Sequence, residues 1–151
     1  MTKPKRGGVF LSKVYNPDSA GKDRARLSKS IVLALRELMK QSEPNDQSRD
    51  MTAFVCLALD EINANIDTSV EAWEKRGYWV KADKFRLEWE WSGKYAKNMR
   101  SALLAEDWGQ VAMTSVQIGQ KLNKLTIPQR HRLGTPWVGA YVQLKKKSTA
   151  I

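Results

Sequence analysis

The chain has 151 residues, enough for one domain with a real core, and its 42% hydrophobic and 28% charged content excludes a disordered chain. Twenty-six Lys and Arg against sixteen Asp and Glu leave a net charge of +10, and a single cysteine excludes an intramolecular disulfide or a cysteine-based zinc cluster. No run approaches the roughly 18 apolar residues of a membrane span, and residues 1–8 lead into no signal-peptide stretch, so a soluble, cytoplasmic chain without membrane contact is expected.

Residues 1–21 hold Pro4, Gly7, Gly8, Pro17 and Gly21 around a short apolar run, Val9-Phe10-Leu11, and read as an N-terminal arm. Over residues 22–41, Leu27, Ile31, Ala34, Leu35 and Leu38 share one helical face. Ser42-Glu43-Pro44-Asn45 ends that helix, because proline disfavours helix in the residue before it. A second helix is predicted over residues 46–76, with Met51, Val55, Ala58, Ile62, Ile66 and Trp73 on its apolar side and Gly77 as its stop. The third, over residues 78–104, is the most regular: Ala82, Phe85, Trp89, Ser92, Ala96, Met99 and Leu103 alternate steps of three and four. Its small centre, Ser92-Gly93 and Ala96, allows close approach by a neighbour. Asp107 is the predicted N-cap of a fourth helix, whose seam is Trp108, Val111, Ser115, Ile118, Leu122 and Leu125. Short connections favour antiparallel neighbours. Residues 126–151, with Pro128, Gly134, Pro136 and Gly139 ahead of Tyr141-Val142-Gln143-Leu144, read as a C-terminal arm. The expected fold is therefore all-α: an antiparallel four- to five-helix bundle over residues 22–125, with extended basic N- and C-terminal arms at 1–21 and 126–151.

Catalytic chemistry finds little support. Glu71 and Glu74 share a helical face, as magnesium-dependent helical phosphohydrolases require, but Glu88 and Glu90 of the third helix lie on different faces and make no matching pair. The only histidine, His131, lies in the tail, whereas a di-iron bundle needs two Glu-x-x-His pairs. Cys56 sits in the apolar run Phe54-Val55-Cys56-Leu57 and reads as a buried thiol. Gly7-Gly8 lacks the flanking pattern of a phosphate-binding loop. The expectation is a non-enzyme without cofactor or metal.

Charge is the better guide. Residues 46–74 carry seven acids and one base, a net of −6, so the remainder carries +16. On the first helix Lys22, Arg26, Lys29, Arg36 and Lys40 fall within roughly 80° of arc, opposite the apolar face and interrupted only by Leu33. This stripe is about 27 Å long at 1.5 Å per residue. Arg24 lies off it but joins the candidate set. Glu37 is the sole acid mid-helix, so local pairing is not expected to neutralise the stripe. Lys94, Lys97 and Arg100 close the third helix with only Glu90 nearby, while Lys84–Glu88, Arg86–Glu90 and Glu90–Lys94 are i,i+4 pairs. Arg130 and Arg132, then Lys145, Lys146 and Lys147, lie on the C-terminal arm, where basic residues either bind nucleic acid or solubilise. Together these are the candidate phosphate contacts.

Six tryptophans are many for this length. Trp73, Trp89 and Trp108 sit on seams and are expected in the core. Trp79, Trp91 and Trp137 fall less cleanly. Trp91 with Tyr95 forms an i,i+4 pair suited to another helix, a protein partner or a stacked base.

The block Ala72-Trp73-Glu74-Lys75-Arg76-Gly77-Tyr78-Trp79, through Trp89-Glu90-Trp91, is similar to the helical region that ends the large subunit of subtype I-D CRISPR complexes. With its small size, basic charge and helicity, the chain over residues 22–125 resembles the small helical subunit of class 1 CRISPR effector complexes. The resemblance implies several copies stacked in a complex, contacting target DNA or the guide–target duplex through backbone charge, with base pairing reading the sequence. Acidic second helix against basic neighbour is one route to that stacking. The expected function is thus sequence-independent nucleic-acid-backbone binding inside a larger ribonucleoprotein, with DNA or RNA, other subunits and copies of itself as partners. The alternatives are a protein-only helical adaptor and a magnesium-dependent phosphohydrolase using Glu71 and Glu74.

Overall fold

The computed structural model describes residues 17–149 and builds them from six helices: α1 (Pro17–Met39), α2 (Asp46–Lys75), α3 (Trp79–Trp89), α4 (Trp91–Leu104), α5 (Trp108–Lys121) and α6 (Ala140–Thr149). No strand occurs among the described residues. The helices are arranged around α2. Its residues 51–59 are buried without exception, whereas a helix on the surface keeps one face in water. α1, α3, α4 and α6 all pack against α2, and α5 joins through α4. Phe54, Leu57 and Leu59 are almost completely removed from water, each such side chain contributing about 1.5–3 kcal/mol.

The ends of these helices follow from local chemistry. Asn45 caps α2 by accepting the Ser48 amide at 2.8 Å. At the other end the Tyr78 amide bonds the Trp73 carbonyl at 2.9 Å and the Gly77 amide bonds that of Glu74 at 3.0 Å. With Gly77 at φ +81°, this is a Schellman stop. α4 ends in the same pattern, Asp107 to Ala102 and Glu106 to Leu103, but with Glu106 rather than glycine at φ 56°. Glu106 is held there by Arg49 at 2.8 Å and the Trp108 indole N–H at 3.1 Å. The Arg49 hydrogen bond pulls its carboxyl below the ordinary carboxylate range.

The predicted seams hold in the bundle. Ala82, Ser92, Ala96, Met99 and Leu103 are buried, as are Val111 and Ile118 of α5 and Leu122 at its C-cap. Ser92 and Ala96 are wholly buried, and a Cβ on Gly93 would stand 3.3 Å from Asn63 Oδ1, so small residues let α4 lie close on α2.

Three expectations change. The third predicted helix is two, broken at Glu90. The Ser92 hydroxyl donates to the Trp89 carbonyl at 2.7 Å and competes with the backbone ladder there. The break also stacks Trp89 on Trp91 at 5.6 Å, a pairing that an unbroken helix puts on opposite sides. Secondly, the C-terminal arm is not extended throughout: residues 140–149 form α6, docked on α2. Trp137, Ala140 and Leu144 are buried beneath it, and the Asp50 carboxylate of α2 accepts the Gly139 and Tyr141 amides at 3.2 and 3.0 Å. That carboxylate caps α6 from another helix, where amide donors lack partners and the dipole favours negative charge. Thirdly, residues 17–21, assigned to the N-terminal arm, open α1, with Pro17 in the first turn where its missing N–H costs nothing. The rest of that arm, residues 1–16, lies outside the described residues.

Two substitutions test this packing. Ala96→Leu should destabilise by about 1–3 kcal/mol in urea unfolding, through overpacking against α2. Asp50→Ala should cost about 1 kcal/mol and open the α6 segment to limited proteolysis before the rest of the chain.

Candidate nucleic-acid interface

Three of the fourteen basic candidates, Arg24, Arg36 and Arg100, hold the fold together. Arg24 is half-buried: its guanidinium donates to Asn65 Oδ1 at 2.7 Å and lies over the Phe85 ring at 4.6 Å. Burial lowers its pKa, partly opposed by the charge of Glu88. Asn65 is itself fully buried and donates to the Ala20 carbonyl at 2.8 Å, so Arg24 closes a polar link between α1 and α2. Arg36 donates to the Ile127 carbonyl at 2.7 Å and sits 3.5 Å from Glu37, tying the α5–α6 connection onto α1. Arg100 is ion-paired with Asp60 across α4 and α2.

The continuous stripe on α1 is therefore a correction. Leu33, in its middle, is 1% exposed and belongs to the core, with the α5–α6 connection anchored one turn on by Arg36. Local pairing also takes part: Lys40 is 3.0 Å from Glu37 and Arg26 is 3.8 Å from Asp23. What remains exposed without an ion pair among the described residues is Lys22 and Lys29 on α1, with Arg26 beside them only loosely engaged.

Elsewhere, Lys94 and Lys97 stand exposed on α4, and Arg130 and Arg132 on the α5–α6 connection, none with an ion pair among the described residues. Between the two arginines His131 accepts the Leu133 amide at 3.1 Å and shapes the turn. Lys145, Lys146 and Lys147 project from α6, with Lys145 lying over the Tyr141 ring at 4.9 Å. The predicted Arg86–Glu90 pair is replaced: Arg86 binds Asp83 at 2.8 Å and Glu74 at 3.0 Å, fastening α3 to α2.

Three of the seven acids of α2 bond to neighbouring elements rather than joining one outward surface. Asp50 caps α6, Asp60 pairs with Arg100 and Glu74 with Arg86. Asp46, Asp67 and Glu71 remain exposed. Among the described residues no three His, Cys, Asp or Glu side chains gather as a metal site would need. Cys56 is buried, which pushes its thiol pKa far up. No helix among the described residues is long and apolar enough to cross a membrane.

Two surface features carry residues outside the candidate set. At the α2–α3 corner Tyr78 and Trp79 are exposed beside Lys75, Arg76, Lys81 and Lys84; their signal was the run Lys75-Arg76-Gly77-Tyr78-Trp79, aromatics following a helix stop. Between α1 and α5 lies an apolar groove of about 760 Å³, with Leu38, Met39, Trp108 and Val116 on its walls. Trp73, Trp89 and Trp108 are partly buried against the core, and Trp137 is buried more deeply. Trp91 packs on Trp89 and Tyr95, so its helix neighbours account for it.

Comparison with protein-family models, curated proteins and solved structures finds no match to this chain.

The two kinds of basic residue separate by experiment. Arg24→Ala should lower unfolding free energy by about 1–3 kcal/mol, because it strands the buried Asn65 oxygen. Lys22→Ala and Lys29→Ala should each change it by less than about 0.5 kcal/mol.

Proposed function

We propose that this chain is a non-catalytic, sequence-independent nucleic-acid-backbone-binding subunit of a larger ribonucleoprotein, similar in role to the small helical subunit of class 1 CRISPR effector complexes. The observation that carries the reading is that, of the candidate cations, Lys22, Lys29, Lys94, Lys97, Arg130 and Arg132 stay exposed after the internal ion pairs are assigned. They are distributed over α1, α4 and the α5–α6 connection, with the α6 lysines beyond. A small anionic ligand needs converging donors, whereas a polymer of phosphates is matched by separated charges that each neutralise one group. A net charge of +10 also draws a polyanion in from solution.

A second reading, a protein-only helical adaptor, is favoured by the apolar groove between α1 and α5, where Met39 is 79% and Val116 56% exposed. The two part in a native pull-down: partners of an adaptor survive nuclease treatment, whereas partners bridged by nucleic acid do not.

The primary reading is tested by filter binding to DNA and RNA over a salt series. Log affinity should fall linearly with log salt, each neutralised phosphate contributing about 0.7–0.9 to the slope. The double variant Lys22→Ala, Lys29→Ala should flatten the slope by about 1–2. Absence of binding to every DNA and RNA form at low salt would overturn the proposal.

A further inference from the structure

The α2–α3 corner holds an open concavity of about 920 Å³ lined by Trp73, Tyr78, Trp79, Lys81, Lys84 and Phe85. Its floor is rigid. Trp73 meets Phe85 edge-on at 4.8 Å, and the Arg24 guanidinium lies 4.6 Å from the Phe85 centroid. The Schellman stop at Gly77 fixes where the chain turns out of α2, so Tyr78 and Trp79 are presented at the rim. They are 53% and 60% exposed, and Tyr78 occupies the N-cap position of α3 without a side-chain capping bond. Aromatic side chains carry large apolar area and ordinarily bury it; two in sequence left at the surface mark a contact site.

The charges around the corner say what kind. Two of its acids are engaged, Glu74 and Asp83 binding Arg86, and Glu88 is the one carboxylate among the described residues that line the concavity, against Lys81 and Lys84. Lys75, Arg76 and Lys84 stand exposed without an ion pair among the described residues, and Lys81 sits 4.6 Å from the Trp73 ring centroid. Protein-interface cores are depleted of lysine, and a flat bilayer surface does not enter a concavity. Rings alternating with cations match a chain in which bases alternate with phosphates.

Resting on the nucleic-acid reading above, we propose that this corner is a base-stacking site for single-stranded nucleic acid. Unpaired bases stack on Trp79 and Tyr78, and Lys75, Arg76, Lys81 and Lys84 meet the neighbouring phosphates. A duplex keeps its base faces covered, so the site distinguishes single strands from duplex where backbone charge alone does not.

The test uses the full chain, a fluorescent oligothymidylate and a blunt duplex of mixed sequence, at one fixed low salt concentration. Trp79→Ala should weaken oligothymidylate binding about 5- to 150-fold, the range for loss of one stacked base. Duplex binding should stay within about twofold. Trp79→Phe, which keeps a ring, should recover most of the loss, and matching thermal unfolding curves confirm that both variants fold. If wild type binds oligothymidylate but neither Trp79→Ala nor Tyr78→Ala weakens it, the stacking site is overturned and the backbone reading survives. If wild type binds no nucleic acid, the reading beneath it fails as well. Loss in Trp79→Ala of binding to phosphatidylserine vesicles, with oligothymidylate binding intact, would assign the corner to a membrane surface and overturn the proposal.

Discussion

A helix covered by neighbours along its middle has to find partners for the polar groups beside that stretch, and α2, buried without exception over residues 51–59, is such a helix. Asp50, Asp60, Asn65 and Glu74 are partly or wholly withdrawn from water where α1, α3, α4 and α6 pack on it. Asp50 takes the amides at the start of α6, Asp60 takes Arg100, Asn65 joins Arg24 to the Ala20 carbonyl, and Glu74 takes Arg86. Each bond fixes one outer helix or segment on the hub. The arrangement also sorts the charge of the molecule. Much of the acidity is consumed internally against arginines, and the lysines are left outside.

That sorting links the fold to the proposed role. Arginine, with its planar fork of donors, serves in the part-buried bonds at Arg24, Arg36 and Arg100, whereas lysine dominates the exposed remainder. A surface of separated lysines suits contact with a phosphate backbone and not recognition of bases. The α2–α3 corner adds what charge alone lacks, exposed rings that accept any base by stacking. Head-to-tail stacking by way of an acidic face finds less support, since of the acids of α2 only Asp46, Asp67 and Glu71 are exposed.

Much of the bundle was legible because its seams are regular. Ala82 through Leu103 announce their face by steps of three and four, and Asn45-Asp46, Gly77 and Asp107 mark ends by their own chemistry. The missed helix at the C-terminal end and the interrupted stripe share a cause, long-range bonds invisible to local pattern, whereas the break at Glu90 is local, through Ser92 and the Trp89 carbonyl. The helix over residues 140–149 was masked by Pro136 and Gly139 and depends on Asp50, 89 residues before Gly139 in the chain. Helical-wheel geometry placed Leu33 among basic residues, but a wheel holds no record of the α5–α6 connection that Arg36 brings to that side. For the same reason it did not separate Arg24 and Arg36, which bind the fold, from Lys22 and Lys29, which do not. The exposed pair Tyr78-Trp79 was written in the sequence, yet only the turn at Gly77 shows that it faces out.

The most direct measurement is an amide chemical-shift map of the isotopically labelled chain titrated with a short oligothymidylate. The account predicts shifts concentrated at Tyr78 to Lys84, Lys22 to Lys29, and Lys94 to Lys97, with the α1–α5 groove unmoved. Shifts confined to that groove, or none at saturating oligonucleotide, would contradict it.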